Sequence, residues 1–439
     1  MRVFAGVVIA VLTLAAFWLG AADRSVTPVQ APGSVLKPEI KQNQAAPAPN
    51  IKSVGAGVVF NWNSFRGPNQ GVSPLANAPV EWDGASGKGV IWKVPLMHSG
   101  VGSPVIWGDR LFLTEGDEHE RAVLAFDLKT GKELWRRIVP DGGAGQPMPG
   151  YSDSGLALTT PACDAHCVYA LFGTGDLAAF SHDGQPLWQI FLKRPVIGYG
   201  YSSSPCLLGT FVCVQLDDHT GGKITAVDTT SGKVAWEADR SRGASWSSPL
   251  VIPGPGPDKK PVVVVNANGS VSAYDESGKM AWDADGVTGE VTPSPAYWDG
   301  KLYPVHNGSG LLCYDVTGEP KKLFEYHGTL CDVASPVIAG GLLFMASGGG
   351  ELSCVDALTG KEQWTHDCPG CYASLVSSGD RVYCLGRDGT TLIVAAERQF
   401  RLIGSNKLGE GSDSTPALGS DGRIYIRTRK TLWCLGTEK

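Results

Sequence analysis

The sequence predicts an all-β chain, an eight-bladed β-propeller of four-stranded antiparallel blades whose ring is closed by the N-terminal strand around Trp92. Three observations carry this expectation. A small hydroxyl residue followed by Pro, or once by Leu, recurs eight times at intervals of roughly 45 residues. Between these sites the apolar residues come in short runs bounded by Gly, Asp and Pro, which is the pattern of strands. The runs also follow the same order in each copy, and such a unit buries both its faces only when copies pack around an axis.

The recurring sites are Ser103-Pro104, Thr160-Pro161, Ser204-Pro205, Ser248-Pro249, Ser294-Pro295, Ser335-Pro336, Ser374-Leu375 and Thr415-Pro416, and each opens a first strand. A second run follows, as RLFLT, CVYALF, FVCVQL, VVVVN, KLYPV, LLFMA, RVYCL and RIYIR. The third ends in most copies on Asp, as in VLAFD, ITAVD, VSAYD, LLCYD and LSCVD. Across a Gly-containing turn stands an aromatic residue that marks the fourth strand: Trp135, Trp188, Trp236, Trp282, Phe324 and Trp364, with Phe400 in the weakest copy. The last unit stops at TLWCLG without a fourth run, whereas GVIWKVPL (residues 89–96) carries the fourth-strand signature ahead of the first complete unit. Trp92's strand therefore completes the last blade, and closure removes an exposed sheet edge.

The turn before the aromatic has its own chemistry. In AFDLKTGKELW, AVDTTSGKVAW, CVDALTGKEQW and the shorter AYDESGKMAW, an Asp stands ahead of a Thr-Gly or Ser-Gly pair. Asp127 can accept hydrogen bonds from the N–H groups of the following turn, and Gly131 can take the positive φ that the turn requires. A single bound group would not need so many sites around a ring. Each tryptophan is read instead as a wedge between neighbouring blades.

On these motifs the chain resembles the tryptophan-docking repeat of the quinoprotein propellers, the PQQ-binding-like β-propeller superfamily, from Trp62 to Leu435. The segment WNSFRGPNQGVS (residues 62–73) is similar to the leader before the first blade of exported bacterial members. The resemblance implies one of two roles: a PQQ-dependent alcohol or sugar dehydrogenase, or a non-enzymatic propeller like the BamB-like component of outer-membrane barrel assembly. The dehydrogenases use a carboxylate set holding Ca²⁺, an Asp as base and, in the alcohol-oxidising branch, a bridge between adjacent cysteines. The chain has no Cys-Cys pair, and no compact Asp-x-Asp catalytic segment or obvious Glu/Asn/Asp calcium set stands out in it. The expectation is therefore a protein-binding scaffold with no catalytic residue, no metal and no cofactor. PQQ with calcium belongs only to the dehydrogenase alternative, and a carbohydrate-binding propeller is the third.

Composition frames this reading. A net charge of −6 with 18% charged residues gives no footprint for nucleic acid. Residues 1–22 combine Arg2, an apolar run and small residues, as an export signal or an N-terminal membrane anchor does. Residues 23–58, rich in Pro, Ala and Gln, read as a flexible linker ahead of a propeller over residues 59–439. The protein is thus expected outside the cytoplasmic membrane, periplasmic or at the cell surface, touching the membrane only through such an anchor. Its partner is expected to be a protein.

Candidate site residues lie on the connections ahead of the Ser-Pro sites. His98, Tyr199, Tyr201, Trp246, Glu290, Asp332, Tyr372, Glu410 and Asp413 would form an acidic and aromatic rim at one mouth of the channel, suited to a cation, a sugar or a peptide. Cysteines offer further candidates. HDCPGC carries a C-x-x-C pair, half a zinc site or a redox pair, read as a disulfide of Cys368 with Cys371 or of either with Cys331. Cys163 with Cys167, and Cys206 with Cys213, flank tight turns and could be bridged, whereas Cys313, Cys354 and Cys434 read as small core residues.

Overall fold

Eight antiparallel sheets follow one another around an axis in the computed structural model, which describes residues 60–117, 119–142, 156–240 and 243–437. The expected signal, anchor and linker lie outside these residues. Blade 1 comprises Val105–Trp107, Arg110–Gly116, Arg121–Asp127 and Glu133–Ile138, and the same succession repeats through blade 7, which ends on Leu402–Lys407. In blade 8 the strands Ala417–Leu418, Ile424–Arg427 and Thr431–Leu435 are joined by Val90–Pro95, which pairs antiparallel with Thr431–Leu435. The ring is closed as the sequence predicts. Blade 5 departs locally, because Pro304 has no N–H and splits the second strand into Lys301–Tyr303 and Val305–His306.

The Ser-Pro sites have a role that no single copy reveals. Each hydroxyl accepts the backbone N–H of its counterpart in the preceding blade: Ser103 N–H to Thr160 Oγ1 (2.9 Å), Thr160 to Ser204 (3.0 Å), Ser204 to Ser248 (2.9 Å) and Ser248 to Ser294 (2.9 Å). The chain continues from Ser294 to Ser335, Ser335 to Ser374 and Ser374 to Thr415, and Thr415 N–H returns to Ser103 Oγ at 2.9 Å. Eight buried hydroxyls thus form a closed hydrogen-bonded hoop around the axis. The Pro that follows all but Ser374 biases these residues toward the extended backbone that this geometry uses.

The outer wall is held by the aromatic wedges. Trp135 of blade 1 donates from Nε1 to His182 O in blade 2 at 2.8 Å, Trp188 to Thr229 O at 2.9 Å, Trp236 to Glu276 O at 2.9 Å and Trp364 to Glu397 O at 3.0 Å. Trp92 of blade 8 reaches Leu128 O in blade 1 at 3.3 Å. Each ring lies over the turn of the next blade. Gly131 has φ 71°, and a Cβ there would stand 2.6 Å from Trp92 Cδ2, so backbone and packing both demand glycine. Asp127 caps the same turn by accepting from Thr130 N–H at 2.8 Å and from the Thr130 hydroxyl at 2.6 Å. Trp282 is buried but its Nε1 has no partner, and Phe324 packs its ring over Gly360.

Blade 7 corrects the expectation for Phe400. The wedge position there is Gly404, opposite Ile393, and Phe400 instead packs edge-on against Trp364 (5.2 Å) and stacks on His366 (3.7 Å). The facing turn in blade 8 is Asp83 to Gly87, with Asp83 capping Ser86, and nothing lies within 4 Å of a Cβ built on Gly87. Trp82 is buried here from the leader side, its N–H on Asn406 Oδ1 at 3.0 Å. An open cleft of about 540 Å³ lies between blades 7 and 8, lined among others by Gly84, Lys93, Leu408 and Trp433.

The leader crosses the ring on the side away from the Ser-Pro face. Trp62 O accepts Ile106 N–H in blade 1 and Asn63 O accepts Cys163 N–H in blade 2, while Val72–Ser73 pairs in parallel with the first strand of blade 7. Between these anchors Arg66 is buried and donates to Ser294 O and Pro295 O in blade 5, both at 3.1 Å. One end of the channel is therefore stoppered.

Candidate functional site at the open channel mouth

The second strand of each blade runs toward the Ser-Pro face, and in five blades it carries a polar residue at or next to its end: Glu115, Gln215, Asn266, His306 and Arg427. All lie beside the connections that carry the predicted rim. Arg427 is fully buried and donates to Thr114 O at 2.6 Å and Gly102 O at 3.3 Å; burial pulls it down to about 10, against the opposing pull of Glu115. Glu115 is buried with Arg136 across blade 1, Arg121 pairs with Asp176 of blade 2 at 3.3 Å, and Asp217 pairs with Arg240 in blade 3 at 3.4 Å. Sequence reading missed all of these. The available signal, for Glu115, Gln215, Asn266, His306 and Arg427 alone, was a polar residue at or next to the end of an apolar second run.

The predicted rim residues lie on connections of this face, and most of their charges are paired or cap backbone N–H groups. His98 sits against Asp117 (3.2 Å) and Glu120 (3.6 Å), and its N–H goes to Glu115 Oε1 at 2.6 Å. Asp413 accepts from Arg387 at 2.8 Å, and the same guanidinium covers the ring of Tyr372 at 3.9 Å. Asp332 caps Val333 N–H and Gly348 N–H, and Glu410 accepts Lys430 N–H. Glu290 is exposed, with its carbonyl on Thr292 Oγ1. The acidic rim expected from the sequence is in large part an interlocked set of ion pairs and caps. A free acid cluster is not what it presents.

Blades 3 to 5 differ. Gln215 Oε1, Asp217 Oδ1, Asn266 Oδ1, the Ser247 hydroxyl and His306 Nδ1 are buried and lack a hydrogen-bond partner among the described residues. Gln215 Nε2 ties the arc together, bonding Asp217 Oδ2 at 2.8 Å and Asn266 O at 2.9 Å. Burial raises the Asp217 carboxyl above its ordinary range even though Arg240 pulls it down, and burial lowers the His306 imidazole. Tyr201 is buried next to Asp217, and burial pushes its phenol well up. A quinone held by calcium asks for several oxygens around one hard cation. This arc supplies one carboxylate whose charge Arg240 already answers, so it fits that group poorly; its acceptors suit a ligand rich in hydrogen-bond donors.

Tyr199 is the conspicuous presented side chain. It is 80% exposed and lies at φ 61°, a region that non-glycine residues seldom occupy. Its ring leans on Trp246 at 6.4 Å, and Trp246 is locked in turn by Nε1 on Gly200 O at 2.8 Å. Met97, Ile138, Phe191 and Val196 are exposed on the same face, on outer-strand ends and connections of blades 8, 1 and 2.

All eleven cysteines carry free thiols. The Cys163–Cys167 bridge is excluded by register: Cys163 opposes Val168 and packs toward blade 1, whereas Cys167 packs toward blade 3. Cys206 and Cys213 are direct cross-strand partners but are not bridged. Cys331 packs with Val305, Leu311 and Leu343, apart from the cluster that holds Cys371 and Cys384. The third thiol beside Cys368 and Cys371 is Cys384, with Cys371 and Cys384 sulfurs 3.1 Å apart. Hydrogen bonds from Cys371 and Cys384 pull the Cys368 thiol below its ordinary range, and the same contacts push Cys371 and Cys384 up.

Comparison with known proteins agrees with the architecture. The family profile described as "Outer membrane protein assembly factor BamB" matches residues 72–215 and 267–399, well over half of the chain. BamB from Moraxella catarrhalis superposes with TM-score 0.60 at 15% identity, over 80% of this chain and 97% of that one. A europium-containing methanol dehydrogenase superposes with TM-score 0.66 at 12% identity, over 86% and 98%. At such identities the likeness is one of fold. Tetrathionate hydrolase of Acidianus ambivalens is 24% identical over 211 residues, 47% of this chain and 34% of that protein, so the match spans about a third of that relative's length.

Proposed function

Since the chain belongs to the family of the outer membrane protein assembly factor BamB, we propose that it is an exported, non-enzymatic propeller that binds a protein partner on its Ser-Pro face, in assembly of the cell envelope. The observation that carries this is Tyr199, held in a strained backbone conformation, braced by Trp246 and left in solvent. Strain at an exposed aromatic is retained when the presentation itself matters. Aromatic residues are the usual anchors of protein interfaces, and the exposed Met97, Ile138 and Phe191 extend apolar surface on that face. The mechanism is presentation, with the hoop of hydroxyls and the wedges keeping the connections rigid.

The test is a photo-crosslinking residue at position 199, with position 358, on a turn of the opposite face, as control. A protein adduct of defined mass from 199 and not from 358 supports the reading. No adduct from 199 in a folded protein, or saturable PQQ binding with dye-linked oxidation of alcohols or aldose sugars, overturns it.

A second reading rests on the unpartnered acceptors of Gln215, Asp217 and Asn266, which favour a small polar ligand at the mouth. The dehydrogenase neighbour and the tetrathionate hydrolase relative keep an enzyme within that reading, and a sugar is the simplest donor-rich ligand. Calorimetric titration with mono- and disaccharides against the protein and its Asn266→Ala variant decides it.

A further inference from the structure

Three cysteines from two parts of the chain converge where blade 6 hands over to blade 7. Cys368 and Cys371 lie in the connection, and Cys384 comes from the second strand of blade 7, Arg381–Leu385. Their sulfurs all lie within 4.8 Å of one another. Backbone bonds on both sides fix this arrangement: Cys368 N–H to Gly350 O (2.9 Å) and Cys371 N–H to Ser347 O (3.1 Å) tie the connection to blade 6, while Arg387 N–H to Gly370 O (2.9 Å) ties it to blade 7. Cys371 and Cys384 are fully buried, and only Cys368 meets solvent.

We propose that Cys368, Cys371 and Cys384 form a preorganised three-cysteine site for a single thiophilic d10 cation, copper(I) or zinc(II), with its remaining coordination position open on the Cys368 side. Elsewhere buried thiols stand singly, as at Cys313 and Cys434, or as a pair, as at Cys206 and Cys213, and among the described residues only here do three meet. A disulfide would use two sulfurs and strand the third. Three sulfurs around one point instead supply most of the coordination shell of a thiophilic ion, which has no geometric preference from its filled d shell. No histidine or carboxylate joins the group among the described residues. His366 is nearest in sequence, but its ring is stacked on Phe400 and its Nδ1 lies 2.7 Å from Asp367 O. The site is independent of the partner surface around Tyr199. Its neighbours on the same face are Tyr372, under Arg387, and Asp332, which crowds Gly348.

The experiment uses the full chain, reduced and then freed of reductant without air. Copper(I) and zinc(II) are titrated in separate arms against chromophoric chelators, and retained metal is counted per chain after gel filtration. The expected result is one equivalent of one of the two ions, with the arms deciding which. Cys368→Ser, at the partly buried position, should weaken retention by at least the roughly tenfold that even outer-shell changes cost. Alkylation read by peptide mass spectrometry supplies a measurement on the unaltered protein, in which bound metal should protect all three thiols together. Retention of neither ion, affinity unchanged by Cys368→Ser, or a disulfide among these three formed in the presence of the ion would each overturn the proposal.

Discussion

The backbone N–H of Thr415 donates to Oγ of Ser103 at 2.9 Å, and this one contact joins the last first-strand of the chain to the earliest. It is chemically the same bond as the seven others in the hoop, such as Ser204 N–H to Ser248 Oγ at 2.9 Å. Ser103→Ala strands the buried Thr415 donor, and Ser248→Ala strands that of Ser204. Both should cost about 1–3 kcal/mol, the penalty of a buried unsatisfied group. Urea unfolding of the two variants side by side checks this. A markedly smaller loss at Ser103 would mean that the ring joint is weaker than its other links.

Gly131 and Gly87 make a matched pair. Both have positive φ, 71° and 78°, so alanine at either incurs the left-handed backbone penalty of roughly 1–2 kcal/mol. Only at Gly131 does the new Cβ strike a wedge, Trp92. Gly131→Ala should therefore destabilise more than Gly87→Ala, and Trp92 fluorescence should shift only in the former. Equal losses would remove the wedge from the account.

Acid should loosen the turns before it touches the hoop. The Ser86 hydroxyl holds the Asp83 carboxyl below its ordinary 3.8, the Thr130 hydroxyl does so for Asp127 and the Thr317 hydroxyl for Asp315. A carboxyl depressed in the folded state adds stability that is complete above the unfolded value and disappears as pH falls through the folded one. Stability should thus be flat from neutrality down to about pH 4 as far as these groups are concerned, then fall. Asp127→Asn should flatten the fall, as read from thermal midpoints at stepped pH.

Arg66 holds the leader by two carbonyl contacts, Ser294 O and Pro295 O, and burial pulls its guanidinium down to about 9. Arg66→Met removes both bonds while keeping most of the stem's bulk. The blades should survive and the stopper should loosen, which limited proteolysis within residues 60–75 would register as faster cleavage. Unchanged cleavage would assign the anchoring to Trp62 and the Val72–Ser73 pairing instead.

Blades and closure were legible because each copy repeats one order of features, so that the lone Trp92 strand could be matched to a missing fourth strand. Blade 7 misled for a physical reason. Its third-to-fourth connection, ERQFR, has no glycine, and the nearest aromatic, Phe400, was taken for a wedge although the position belongs to Gly404. Cys384 escaped notice because a strand residue gains meaning beside Cys368 and Cys371 only after two blades pack. The charges of the rim were visible, but their partners, Arg387 for Asp413 and Asp117 with Glu120 for His98, sit on other connections, and pairing between connections leaves no spacing to read.

Val90–Pro95 is made early and Thr431–Leu435 almost last, yet they share one sheet. A nascent chain that stops short of Thr431 carries an unfinished eighth blade with open strand edges, and one that stops short of Thr415 also has a hoop lacking its return bond. Such contacts, distant in sequence, are slow to form. A chain without Thr431–Leu435 would leave the Val90–Pro95 edge unpaired and open to other strands, so closure of the ring waits on that one segment.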